Sequence, residues 1–63
     1  MVNNMTFFIR QASNGQYYFV IKSDNHEIVA TSEMYHYKST AQNTIDAMKH
    51  GINLSSKVID MTV

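Results

Sequence analysis

Residues 5–22, MTFFIRQASNGQYYFVIK, carry the clearest structural signal in the chain. Two short runs rich in aromatic and β-branched residues flank Ser13-Asn14-Gly15, which is the pattern of a β-hairpin. A two-residue Asn14-Gly15 turn would put the apolar side chains of the two strands on opposite faces. A three-residue loop with Gly15 in the left-handed region puts them on the same face. We therefore predict the three-residue loop and a core face that contains Phe7, Ile9, Tyr17, Phe19 and Ile21.

Two further strands are predicted after this hairpin. The turn sequence at residues 23–26 precedes a third strand over residues 27–31, with Ile28 and Ala30 on the core face. Near the end of the chain, residues 57–61 are apolar and β-branched enough to form a last strand.

A helix is predicted between these two strands, over residues 40–50. Ser39 and Gln42 have the spacing of a capping box, and Gly51 stands where a helix end favours a left-handed residue. The apolar stripe of the helix is Ala41, Ile45, Met48 and Ile52. The predicted order is β-β-β-α-β, which is an α+β fold with an antiparallel sheet and one helix packed on one face.

Length and composition restrict the function classes. With 63 residues, the chain is expected to be a single domain, 1–63, without room for a cofactor domain beside a substrate domain. Five basic and five acidic side chains cancel, so no overall field attracts nucleic acid or an anionic membrane. The lack of Cys excludes disulfides, thiolate zinc sites and thiol nucleophiles. Without a membrane-spanning run or a signal-peptide pattern, we expect a cytoplasmic protein that does not enter membranes.

The small size also favours self-association. A chain of 63 residues buries little apolar surface, and neither a disulfide nor a metal site adds stability. A second copy is the remaining source of burial, and we expect a homodimer.

The residues after the first hairpin resemble a known family. The pattern is Asn25-x-Glu27-Ile28-Val29-Ala30-Thr31-Ser32-Glu33-x-Tyr35, then Lys38, then Asn43-x-Ile45-x-x-x-Lys49, then Val58-Ile59-Asp60. Over residues 7–62 the chain is similar to the YegP-like family of small bacterial and archaeal proteins. The resemblance implies β-β-β-α-β units joined in one sheet with exchanged C-terminal strands, either as tandem repeats or as two subunits. It implies no biochemical activity. His26 stands where the family often has Gly, so a turn with positive φ at His26 would be strained.

Six positions of this pattern are mostly polar and are the candidate binding residues: Asn25, Ser32, Glu33, Tyr35, Lys38 and Asn43. The structural alternative is that Asn25 makes its turn and that Ser32 and Glu33 end the third strand and satisfy backbone donors of the loop. Tyr35 would then be a half-buried anchor for the following loop. Asn43 lies about 160° around the helix from the apolar stripe, so core packing does not explain it.

No catalytic or metal site is predicted. Glu33-x-x-His36 would bring two ligands together only on a helix, and His26 and His50 belong to other elements. Ser32 has no assigned base beside it. We expect no enzymatic activity, no metal and no cofactor.

The second face of the hairpin is an alternative binding surface. It carries Phe8, Arg10, Tyr18 and Lys22, whose rings suit base stacking and whose cations suit phosphates. The neutral net charge argues against nucleic acid. Two functions stay open: a homodimeric interaction or accessory module that binds a protein or a small ligand, and a single-stranded nucleic-acid binder.

Overall fold

The computed structural model describes residues 4–62. Within them it has three strands, β1 (Thr6–Gln11), β2 (Tyr17–Lys22) and β3 (Ile28–Thr31), and one helix, α1 (Lys38–Gly51). The strands form an antiparallel sheet in the order β1-β2-β3, and α1 packs on β1 and β2. The predicted α+β class is confirmed.

The first hairpin has the predicted three-residue loop. The Ala12 amide donates to the Gln16 carbonyl at 2.8 Å, and the Gly15 amide donates to the Ala12 carbonyl at 3.0 Å. Gly15 has a φ of +86°, which a residue without a β-carbon adopts at no steric cost. The loop therefore ends in the left-handed residue that the register required.

The core lies between this hairpin and α1. The register pairs Phe7 with Ile21 and Ile9 with Phe19, so the predicted core face is confirmed. Four side chains of the core cluster are buried, and five more pack against them half-buried: Phe19, Ile21, Ala41 and Ile45, with Phe7, Ile9, Tyr17, Tyr35 and Met48 around them. Ile52, the last residue of the predicted helical stripe, is exposed.

The second hairpin repeats the turn geometry of the first. The Ser23 amide donates to the Glu27 carbonyl at 2.9 Å, and the His26 amide donates to the Ser23 carbonyl at 2.9 Å. His26 has a φ of +67° and so occupies the position that Gly15 occupies in the first turn. A side chain in this region costs roughly 1 kcal/mol, so the strain expected at His26 is present in the turn.

β3 contains a bulge that the sequence pattern did not predict. Ile21 pairs with Ala30 and Lys22 pairs with Ile28, which leaves Val29 as the extra residue. Ala30 shares the face of Ile21 as predicted, but Ile28 shares the opposite face with Lys22. The prediction that Ile28 continues the core face is wrong because the bulge shifts the register by one residue.

The helix begins before the predicted capping residue. α1 starts at Lys38, and its N-cap Tyr37 makes no side-chain capping hydrogen bond. The Tyr37 carbonyl accepts from the Thr40 amide at 3.1 Å. Ser39 therefore lies inside the first turn, and the prediction that Ser39 caps the helix is wrong. The backbone bridge between Tyr17 and Tyr35 holds the chain two residues before the N-cap.

The end of the helix also differs from the prediction. Gly51 is the last helical residue, and the C-cap is Ile52, with an extended φ of −98°. The Ile52 amide donates to the Met48 carbonyl at 2.9 Å. The prediction of a left-handed Gly51 is wrong because the chain leaves the helix through an extended residue instead.

Residues 52–62 form no strand. The predicted last strand over residues 57–61 is therefore absent from the single chain, where these residues pair with neither edge of the sheet. A turn precedes them, in which the Ser56 amide donates to the Asn53 carbonyl at 2.9 Å. The apolar side chains that follow this turn are exposed.

Candidate functional site

Three of the six candidate binding residues lie together. Ser32, Glu33 and Tyr35 follow β3 directly, at the end of the sheet where β2 begins, because Tyr35 is bridged to Tyr17. Ser32 and Tyr35 are half-buried, and Glu33 is exposed. They form one short wall beside the core.

The other three candidates lie apart from this wall and from each other. Asn25 is in the turn at the opposite end of β2, where its Oδ1 accepts from the Ser23 hydroxyl and from the Glu27 amide. This is the turn-forming role of the structural alternative. Lys38 and Asn43 are exposed on α1, and Asn43 lies away from the buried stripe as predicted.

Ser32 ends the pairing of β3 with β2 through its side chain. Its amide donates to the Phe19 carbonyl at 2.9 Å, and the Phe19 amide donates to Ser32 Oγ at 2.9 Å. In a continued strand the Ser32 carbonyl would accept the second bond. Ser32 Oγ also donates to the Glu33 carbonyl at 2.8 Å, so the hydroxyl both donates and accepts a hydrogen bond to the backbone. The chain can thus leave the sheet without leaving the Phe19 amide unpaired.

Tyr35 anchors the segment between β3 and α1. Its amide donates to the Tyr17 carbonyl at 2.7 Å, and its carbonyl accepts from the Tyr17 amide at 2.8 Å. Its ring lies parallel to that of Phe19, with 6.3 Å between the centroids and 6° between the planes. The predicted role as a half-buried anchor agrees with this geometry.

The core is open along β3, because in the described part of the chain α1 packs on β1 and β2 alone. Two adjoining grooves result, and Ile21 and Met48 line both. The groove that we call the polar groove, of about 250 Å³, has Ser32, Glu33 and Tyr35 along one wall, and the rest of its lining is mostly apolar. The apolar groove, of about 370 Å³, extends to Met5, Phe7, Val29 and Ile52. The sequence did not reveal these grooves, since they depend on where α1 crosses the sheet.

The opposite face of the sheet carries the four residues of the alternative surface. Arg10 pairs with Tyr18, and Phe8 pairs with Val20. Lys22 lies over the Phe8 ring, with its Nζ 5.2 Å from the centroid. Val20, on the same face, is only 6% exposed although α1 packs on the other side of the sheet. We name this surface, Phe8, Arg10, Tyr18 and Lys22 around Val20, the open face.

The charged groups form no assembled reactive centre in residues 4–62. No three His, Asp or Glu side chains there come close enough to hold a metal ion. Hydrogen bonds from the Thr62 hydroxyl and then from the Thr62 amide lower the pKa of Asp60. Asp60 lies on the exposed C-terminal segment, away from both grooves.

The fold and these surfaces define a small α+β module. Beside the polar and the apolar groove, a third groove of about 420 Å³ lies between β1 and α1 on the same side of the sheet, and the open face lies on the other side. In the region that the structure describes, no helix is long and apolar enough to cross a membrane.

The comparisons with known proteins identify the family. The family described as "Domain of unknown function (DUF1508)" matches residues 12–52. A UPF0339 protein of Acinetobacter baylyi is 49% identical over 41 residues, which cover 65% of this chain and 37% of the relative. UPF0339 protein YegP of Yersinia pestis is 46% identical over 41 residues, with the same coverage of 65% and 37%. A UPF0339 protein of Mannheimia succiniciproducens is 36% identical over 53 residues, which cover 84% of this chain and 45% of the relative.

The chain therefore belongs to the YegP-like family, and the resemblance seen in the sequence is confirmed. Its aligned part spans less than half the length of these curated relatives. The descriptions of the family and of these relatives assign no biochemical function.

Proposed function

We propose that the chain is a small homodimeric interaction module, in which two copies share a sheet, exchange their C-terminal segments and bind a protein or a small ligand. The observation that carries this proposal is an exposed apolar segment on a chain whose own core is open. The proposal includes no enzymatic turnover, and the engaged hydroxyl of Ser32 supports that part. A cytoplasmic location stays a prediction.

The C-terminal segment is the first support. Val58 is 94% exposed, Ile59 is 77% exposed and Met61 is 85% exposed. Three large apolar side chains are thus exposed within four positions, and contiguous exposed apolar surface is typical of interaction sites. Residues 57–61 also have the composition of a strand, so a neighbouring sheet edge would complete their pairing.

The receiving surface is the second support. Val29 is 56% exposed at the margin of the apolar groove, and Ile52 borders the same groove. In the described sheet, β1 and β3 are both edge strands with unpaired backbone groups. A second copy supplies both a strand for an edge and apolar side chains for a groove.

The relatives give the third support. This chain covers 37% of the Yersinia pestis relative, which has room for a second unit of similar length. Two such units would bury apolar surface against each other, whether they lie in one chain or in two copies. The resemblance to a family of paired units leads to the same arrangement.

The binding role follows from the polar groove. Its volume of about 250 Å³ is smaller than the roughly 300–1,000 Å³ of common ligand sites. A second copy placed against β3 would add the missing wall. Glu33, exposed at this wall, would then provide a carboxylate for a donor group of the bound protein or ligand.

Native mass spectrometry and light scattering at micromolar concentration test the dimer. We expect twice the chain mass of 7.2 kDa and a melting temperature that rises with protein concentration. Ile59→Asp should abolish the dimer. Leu54→Asp is the matched control, because Leu54 is at least as exposed as Ile59 but lies in the turn before the segment. A stable, folded monomer of the parent chain would contradict the proposal.

The binding role is tested separately. The Glu33→Ala variant should still form the dimer but should no longer bind a partner that the parent chain recovers from the native cell. The Asn43→Ala variant, which is changed on the outer side of α1, should still bind that partner. Equal recovery by both variants would exclude the polar groove as the site.

A further inference from the structure

We infer that the open face binds single-stranded nucleic acid. This inference does not rest on the proposed dimer, because the open face lies on the opposite side of the sheet from the core and the grooves. Four observations support it, and each concerns the strands themselves.

The open face is accessible as a flat platform. α1 packs on the other face, and the residues after it, 52–62, are exposed and form no strand that covers the platform. Phe8 is exposed and Tyr18 is half-buried, so both side chains can be reached from the solvent. Accessible aromatic rings on a sheet are the usual stacking platform for unpaired bases.

The register places the two rings at a useful separation. Phe8 pairs with Val20, and Tyr18 is two residues before Val20 on β2. The rings are therefore diagonal neighbours across β1 and β2, with α-carbons roughly 7–8 Å apart. Val20, the strand partner of Phe8, is an apolar residue on the same face and is only 6% exposed.

The charges of the chain are segregated in favour of this face. β1, β2 and β3 contain Arg10 and Lys22 and no acidic residue. The five acidic residues all lie in turns, loops, α1 or the C-terminal segment: Asp24, Glu27, Glu33, Asp46 and Asp60. The net charge of the chain is zero, but the open face itself is positive. Electrostatic attraction of a ligand depends on this local charge rather than on the total charge.

Lys22 and Phe8 combine the two kinds of contact. The Lys22 ammonium lies 5.2 Å from the centre of the Phe8 ring, as in a cation–π pair. This contact keeps a phosphate-binding group beside a stacking ring at the surface of the sheet. An acidic peptide would use the two cations but would gain little from the flat rings, so nucleic acid is the partner that fits both features.

The test is fluorescence anisotropy with labelled, mixed-sequence single-stranded DNA and RNA of about 12 nucleotides. If Arg10 and Lys22 each contact one phosphate, raising the salt from about 50 mM to about 200 mM should weaken binding about sevenfold. Arg10→Gln should reduce this salt effect to about 2.6-fold, because one phosphate contact is left. Tyr18→Ala should weaken binding at least about fivefold at both salt concentrations, because a stacked base is lost.

Two matched variants control for unspecific loss. Lys49→Gln removes an exposed cation from α1, and Tyr37→Ala removes an exposed ring at the start of α1. Both should bind like the parent chain. Circular dichroism checks that each variant is folded, and Arg10→Gln, an exposed change, decides the question if Tyr18→Ala unfolds.

Three outcomes would overturn the inference. The first is no anisotropy change at low salt up to about 100 μM protein, the weak limit of ordinary non-specific binding. The second is binding that Lys49→Gln weakens as much as Arg10→Gln does. The third is equal affinity for polyglutamate with no effect of Tyr18→Ala, which would assign the open face to acidic protein segments instead.

Discussion

Ser32→Ala tests how the sheet ends. The substitution removes the acceptor of the Phe19 amide, which lies 2.9 Å from Ser32 Oγ beneath a side chain of the buried core. A buried donor left without a partner costs about 1–3 kcal/mol. Because this bond is only partly buried, we expect about 1–2 kcal/mol. For a domain of this size, that loss corresponds to a fall in melting temperature of about 5–15 °C.

Thermal and urea unfolding at one fixed protein concentration measure this loss, since self-association would otherwise shift both curves. Ser39→Ala is the matched control: it removes the same hydroxyl from an exposed position in the first turn of α1. There we expect no loss, or a gain of a few tenths of a kcal/mol from helix propensity. Hydrogen exchange of the Phe19 amide gives a second measurement, and it should accelerate in Ser32→Ala alone. Unchanged melting together with unchanged protection of that amide would refute the role given to Ser32 Oγ.

Two further predictions concern the turns and the anchor. His26→Gly should stabilise the protein by about 0.5–1 kcal/mol, because glycine adopts the positive φ without strain. Gly15→Ala should destabilise it by about 1 kcal/mol or more for the opposite reason. Thermal melts measure both variants, and the two changes in melting temperature must have opposite signs. Tyr35→Ala should lower the stability by about 2 kcal/mol through the lost contact with Phe19, whereas Tyr35→Phe keeps the ring and should lower it much less. Urea titration compares the two variants, and equal losses of stability would contradict the stacking argument.

Local rules predicted the parts of the fold that depend on local interactions. The first hairpin followed from Gly15 and from the need to put Phe7 and Phe19 on one face, and both constraints act within a few residues. The stripe Ala41, Ile45 and Met48 followed from helical periodicity alone. These elements are specified by short-range geometry, so a pattern is sufficient to find them.

The elements that were mispredicted depend on long-range pairing. Ile28 and Val29 are equally apolar and β-branched, so the pattern does not indicate which one faces the core once a bulge is present. The start of α1 follows the Tyr17–Tyr35 bridge, which joins residues distant in sequence, and the Ser39 spacing alone favoured a different start.

The candidate site residues were also better predicted where they depend on local geometry. The four open-face residues follow from strand alternation, and the structure brings them together. The six polar candidates came from a linear pattern, and only Ser32, Glu33 and Tyr35 share a wall. The structural alternative for Ser32 named the right chemistry, since its hydroxyl accepts from a backbone amide, but the donor lies across the sheet on β2.

The bulge at Val29 affects how the protein resists aggregation. A strand from another chain could pair with only four residues of β3. The regular residue-by-residue pairing of β3 with β2 is also interrupted between Ile28 and Ala30. A flat, regular strand finds few matching hydrogen-bond positions on such an edge, and the bulge adds local twist. The irregular edge therefore lowers the risk of open-ended strand addition on the side of the sheet where the apolar core is exposed.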